Sequence, residues 1–271
     1  MKNPLILLIL GLGLALQACG GGPKQSGIFV DNKGHADEIL IDLASLVWLK
    51  AIYGVDPTTD LLSSSYETDL VTIANTIVEE HEQEYESYDV PAGGYNSLFI
   101  GHSFFRPFAD NMAPLAKQSG IVGHEQQVVF AGGSNGAPQA LWENEENRAE
   151  IQEILDEGEI ELFVMTYEPT YPSDEGYRNW FDYALSKNPD TRFVLALAWP
   201  DFPDEYENGA EYASSWEEGH DNDWHTLIDG LRAAYPDNPI ACIPYGRSAL
   251  ELRTRFDEGE LPDADVLISG R

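Results

Sequence analysis

Five short apolar runs alternate with longer segments of helical period, and no other feature limits the fold of this chain so tightly. The runs lie at residues 97–100, 128–130, 162–165, 193–198 and 240–243. Each is too short for a buried helix, and polar or glycine-containing stretches flank them, so they read as buried strands. Residues 108–119, 149–156, 177–186 and 224–235 between them show helical spacing, and residues 248–256 form a last such segment. Parallel strands need crossover connections of this length, usually helical. The pattern predicts an α/β fold, a three-layer α/β/α sandwich around a mostly parallel five-stranded sheet. Sites in such sheets gather beyond the carboxyl ends of the strands.

Two further helices precede the alternation. Residues 36–53 carry Ile39, Leu40, Leu43, Leu46, Val47 and Trp48 at helical spacing, and Leu49 and Ile52 widen the apolar face. Gly54 and Pro57 end it. Residues 69–85 form a second, amphipathic helix, and the Pro91-Ala92-Gly93-Gly94 stretch reads as a linker.

The first residues read as a targeting segment. Lys2 precedes an apolar run too short for a comfortable membrane span, which ends at Leu16-Gln17-Ala18-Cys19 before a glycine stretch. That tetrapeptide resembles the bacterial lipobox, which implies lipidation of Cys19. The expected organisation is a signal peptide at 1–18, a tether at 19–26 and a single domain at 27–271. The expected location is the bacterial cell envelope, on its periplasmic or extracellular face, with the lipid as the only membrane attachment. An ordinary signal peptide with an incidental Cys19 is the alternative.

The 271 residues carry a formal net charge of -32. Phosphate backbones would be repelled, so nucleic acid is excluded as a partner. The charge fits a solvated acidic surface on a soluble, monomeric domain. Cys242 is the only other cysteine and lies in an apolar strand, where a buried structural thiol is expected rather than a nucleophile.

Two segments supply the parts of a nucleophilic triad. Residues 96–105 read as a buried strand that delivers Ser103, and residues 27–35 as a strand or loop that delivers Asp31 and His35. A hydroxyl, an imidazole to take its proton and a carboxylate to orient the imidazole are what acyl transfer by serine requires. A serine before a helix is also a common N-cap, and Asp-x-x-x-His alone is weak, so the pairing carries the reading.

The run Ile100-Gly101-His102-Ser103-Phe104 resembles the first motif block of the SGNH (GDSL-type) hydrolases, with His102 where that family often has Asp. The segment Asp31 to His35 resembles the family's last block, one residue longer than its usual Asp-x-x-His, with Gly34 suited to a turn that absorbs the extra residue. The resemblance implies an SGNH or flavodoxin-like sheet, with Ser103 as nucleophile, His35 as base and Asp31 as orienting carboxylate. It implies an oxyanion hole from the N–H of Ser103 and the N–H of Gly133, with neighbouring Gly132 as the other choice. The family's third block, Gly-x-Asn-Asp, is not recognisable. Its place is held by Met165-Thr166-Tyr167-Glu168-Pro169, and Asn135, Thr166 or Tyr167 are the candidates for the missing donor. In the family the His block closes the chain, whereas here it comes first. The expectation is therefore a circularly permuted domain, with residues 57–94 connecting the former last helix to the former first strand. A rearranged gene is the alternative.

The implied activity is hydrolysis of acyl esters, with O-acetyl groups on a polysaccharide as the leading substrate, and without metal or cofactor. The rival is a non-catalytic envelope lipoprotein of the same fold that binds carbohydrate or a protein. His220 and His225, among carboxylates, suggest either a divalent metal site or a solvated helix start, and His225 is the reserve base. His102 either lines the site or caps its strand, and His124 has no evident company. Trp199, Phe202, Tyr206, Tyr212 and Trp216 follow the fourth strand, as sugar-stacking rings or as loop packing. Trp142 reads as packing.

Overall fold

The computed structural model describes residues 26–82, 93–218 and 222–267. The leader, the tether up to Gln25, Cys19 and His220 lie outside the described residues. Six elements come before the third strand: β1 (Ser26–Phe29), α1 (Glu38–Tyr53), α2 (Leu70–Glu82), β2 (Asn96–Gly101), α3 (Arg106–Gln118) and β3 (Glu125–Phe130). The chain then runs through α4 (Pro138–Glu143), α5 (Glu145–Asp156), β4 (Leu162–Thr166), α6 (Glu175–Lys187), β5 (Arg192–Ala196) and α7 (Gly209–Trp216). It ends in α8 (Asn222–Ala234), β6 (Ile240–Ile243), α9 (Gly246–Glu258) and β7 (Ala264–Leu267).

The five predicted strands form one wholly parallel sheet in the order β3-β2-β4-β5-β6. Helices cover both faces: α1, α3 and α9 pack together on one side, and α4, α5 and α6 on the other. Leu98, Phe99, Ile100, Phe163, Val164, Leu195 and Ile243 are buried, as strands covered on both faces must be. Helix α1 is apolar on most of its circumference because it lies between the sheet and α2, which crosses α1 and α9. Its Trp48 stacks on Phe99 and meets Phe105 and Tyr245 edge-on. None of the described helices is long and apolar enough to cross a membrane.

Several features depart from expectation. Strand β3 is an edge strand, exposed over much of its length, rather than a buried one; Phe130 is 36% exposed and lies under the Arg106 guanidinium. The short helices α4 and α7 lack the long apolar period that marks the others. β1 pairs with β7 in a separate two-stranded parallel sheet, Ser26 opposite Ala264 and Phe29 opposite Leu267. Residues 264–267 thus lie beside residues 26–29 rather than running straight into them.

His124 does have company: the Tyr53 hydroxyl donates to its Nδ1, and its Nε2 donates to Gln126. Cys242 is buried as expected, with its Sγ 2.8 Å from Nε2 of His81.

Candidate active site

The chain leaves β2, goes through α3 to β3 on one side, then crosses to β4 on the other. The two connections diverge between the carboxyl ends of β2 and β4, which opens the crevice where open α/β sheets bind ligands. Ser103 follows β2 and Tyr167 and Glu168 follow β4, so both walls of that crevice carry polar groups.

Ser103 sits in the turn between β2 and α3, half-buried. Phe105 and Arg106 donate their N–H groups to the His102 carbonyl, which closes the turn. Beside it, the Ala131 N–H donates to the Gly101 carbonyl, and Gly136 packs so closely that a Cβ would lie 2.4 Å from that oxygen. This contact draws residues 131–136 against the end of β2 and brings Gly133 to the cavity over Ser103. The N–H groups of Ser103 and Gly133 donate to no acceptor among the described residues.

The segment after β1 folds back on itself. Val30 donates to the His35 carbonyl, and Asp37 donates to the Ile28 carbonyl. At the tip, Oδ1 of Asp31 accepts the N–H groups of Gly34 and His35. Gly34 has φ +98°, and its missing Cβ would lie 2.9 Å from Pro203 Cδ, so both conformation and space require glycine. The turn aims the other carboxylate oxygen at the ring: Asp31 Oδ2 is 2.8 Å from His35 Nδ1, and His35 Nε2 is 2.9 Å from Ser103 Oγ. Partial burial works against ionisation of Asp31. The hydrogen bonds and charge of His35 outweigh it and hold the carboxyl below its ordinary range.

The loop after β5 clamps this turn. Trp199 Nε1 donates to the Gly34 carbonyl at 2.8 Å, and the Phe202 N–H to the Lys33 carbonyl at 3.0 Å. Phe104 is stacked on Trp199 with centroids 5.4 Å apart and meets the His35 ring edge-on at 4.9 Å. Phe202, 43% exposed, holds φ +57°, a strained backbone for a bulky residue. The aromatic group after β5 therefore divides. Trp199 and Tyr206 line the cavity, whereas Tyr212 and Trp216 are buried packing residues that donate to the Pro200 and Ala198 carbonyls. Trp142 packs edge-on against Trp180.

The cavity has a volume of about 410 Å³, with Ser103, Gly133, Ser134, Glu168 and Trp199 on its walls. His102 is buried beneath it. Its Nδ1 accepts the Phe104 N–H, so its proton sits on Nε2 and is donated to the Thr166 hydroxyl at 3.0 Å. Burial depresses its pKa, against the pull of nearby Glu168. His102 therefore supports the turn as a neutral ring. Thr166 is engaged with His102 and the Tyr167 carbonyl, and its side chain is wholly buried. Burial, reinforced by Asp223 and Glu168, pushes the Tyr167 phenol up to about 12, so it stays protonated.

Of the residues singled out from sequence, Ser103, His35, Asp31 and Gly133 come together. Asn135 is exposed and is not on the cavity wall, and His225 lies beside His81 and Trp224, not at Ser103. No group of three or more His, Cys, Asp or Glu suited to a metal occurs among the described residues. Lys33, Ser134 and Asp201 also line the cavity; each lies inside a stretch singled out from the sequence, but none was singled out for its own side chain. No protein-family model, curated protein or solved structure matches this chain.

Proposed function

We propose that this protein is a serine ester hydrolase of SGNH type, exported and held to the cell envelope by a lipid on Cys19. The observation that carries the reading is the imidazole of His35, bonded to the Asp31 carboxylate on one side and to the Ser103 hydroxyl on the other. With its proton on Nδ1, donated to Asp31, His35 presents a bare Nε2 to the hydroxyl. As Ser103 attacks the acyl carbonyl, its proton passes to Nε2 and Asp31 stabilises the imidazolium. The N–H groups of Ser103 and Gly133 receive the oxyanion, each such donor being worth about 3 kcal/mol in the transition state. The alcohol departs with the proton from His35. Water, deprotonated by the same nitrogen, then releases the acid and restores Ser103.

The domain is read as a circular permutant because the His block comes first in the chain; β1 and β7 lie side by side and parallel, so restoring the usual order takes a connection that runs back along the pair from the end of β7 to the start of β1. O-acetyl groups on a polysaccharide are the substrate suggested by export and by the aromatic wall, on family analogy alone.

A fluorophosphonate probe tests the proposal, since it forms a phosphonyl-serine only with an activated hydroxyl. Mass spectrometry should find the adduct on Ser103, with labelling lost in Ser103→Ala and at least a hundredfold slower in His35→Ala. An unlabelled protein would favour the rival reading, a carbohydrate- or protein-binding lipoprotein.

A further inference from the structure

Selectivity for charge follows from the wall opposite the nucleophile, if the cavity over Ser103 is the ester site proposed above. Glu168 lies just past β4, with its side chain 16% exposed. Its Oε1 accepts the N–H of Thr170 at 3.1 Å and the Thr170 hydroxyl at 2.6 Å. Its Oε2 is 3.9 Å from Nε2 of His102, the residue next to Ser103.

No lining group cancels this charge. His102 is neutral, because its Nδ1 accepts the Phe104 N–H. The only cation on the described cavity wall is Lys33, and its Nζ is 2.5 Å from Asp201 Oδ2. Lys33 and Asp201 neutralise each other at the rim, and Glu168 is left as one unbalanced negative charge, largely shielded from solvent. The same wall carries Phe104, Tyr167, Trp199 and Tyr206. Aromatic rings attract cations through their negative faces, most strongly where water is excluded. A carboxylate and several rings around one cavity are the chemistry that recognises an ammonium group. The net charge of -32 favours approach of a cation and opposes that of an anion.

We infer that the preferred substrate is an ester whose alcohol portion carries an ammonium group, and that Glu168 is the residue that selects it. The ammonium lies between the Glu168 carboxylate and the rings while the acyl carbonyl faces Ser103.

Two acetate esters of equal shape test this: acetylcholine and 3,3-dimethylbutyl acetate, which differ by N⁺ against carbon. The wild-type protein should show a kcat/KM at least tenfold higher for acetylcholine, and Glu168→Gln should bring the ratio of the two close to one. Equal rates in the wild type, or a preference that survives Glu168→Gln, would overturn the inference and leave the esterase reading intact. Calorimetry with choline reads the site without turnover: Ser103→Ala should bind it at least tenfold more tightly than Ser103→Ala/Glu168→Gln. Glu168-dependent choline binding by a protein that hydrolyses neither ester would uphold the ammonium site and sink the esterase reading. Choline binding indifferent to Glu168 would overturn the site.

Discussion

Trp199→Phe should uncouple the His35 turn from the body of the protein. Trp199 is 2% exposed, and its Nε1 donates to the carbonyl of buried Gly34. Phenylalanine keeps a ring against Phe104 but leaves that carbonyl without its donor, at a cost of about 1–3 kcal/mol. The lost pyrrole edge opens a void of roughly 40 Å³, which at about 24 cal/mol per Å³ adds about 1 kcal/mol. The sum of about 2–4 kcal/mol corresponds to a fall in Tm of roughly 4–16 °C for a domain of this size. Because the Gly34 carbonyl precedes His35, the imidazole also loses its fixed distance to Ser103. A displacement near 1 Å costs about 10²-fold in rate. Thermal unfolding and kcat/KM on p-nitrophenyl acetate read the two effects. Phe181→Leu is the control: Phe181 stacks on Phe193 at the other end of β5, far along the sheet from the cavity. The control should lose stability while its kcat/KM stays within about twofold of the wild type. If Trp199→Phe loses stability and keeps its activity in the same way, the loop after β5 does not position His35.

Asp31→Asn should keep the turn, since an amide oxygen can still accept the Gly34 and His35 N–H groups, while kcat falls by about 10³–10⁴, the loss expected when the charge orienting an imidazole is removed; near wild-type turnover in steady-state kinetics would remove Asp31 from the triad. Burial opposes ionisation of Asp263, but bonds from Thr68 and Glu67 overcome it and hold its pKa below the ordinary carboxylate value. Its contribution is therefore full above the unfolded value of about 3.9 and is lost as pH falls through the lower folded value. Asp263→Asn should be less stable at pH 6 in urea denaturation and lose less between pH 5 and 3; an unchanged acid limb would refute this. With a net charge of -32, Tm should rise between roughly 10 mM and 1 M NaCl, as the screening length falls from about 30 Å to 3 Å, and a flat or falling Tm would contradict self-repulsion.

The five-stranded sheet was legible because parallel strands covered on both faces must be apolar throughout, as Leu98–Ile100 and Phe163–Met165 are. β3 was misjudged because Val128, Val129 and Phe130 form an apolar run, and nothing local reports that a strand lies at an edge. β1 and β7 pair across more than 230 residues, a distance no periodicity reaches. The hydrogen-bonded row of Asp31, His35 and Ser103 was legible as two short motifs whose partnership was inferred from their chemistry. What closes it, a turn capped by Asp31 Oδ1 and a bond from Trp199, lies in tertiary contacts. Glu168 and Lys33 resemble ordinary surface charges until the fold sets them around one cavity. Asn135 is the opposite case: a suitable side chain in a promising motif, which the short turn at residues 133–136 leaves exposed to solvent.

The central claim is that His35 activates Ser103. The most direct measurement is hydrolysis of p-nitrophenyl acetate by the purified wild-type protein, Ser103→Ala and His35→Ala, each shown by circular dichroism to be folded. Both substitutions should lower kcat/KM by at least 10³-fold and by similar factors, because the two groups act as one unit. Loss in Ser103→Ala with wild-type turnover in His35→Ala, or equal rates in all three proteins, would contradict the account.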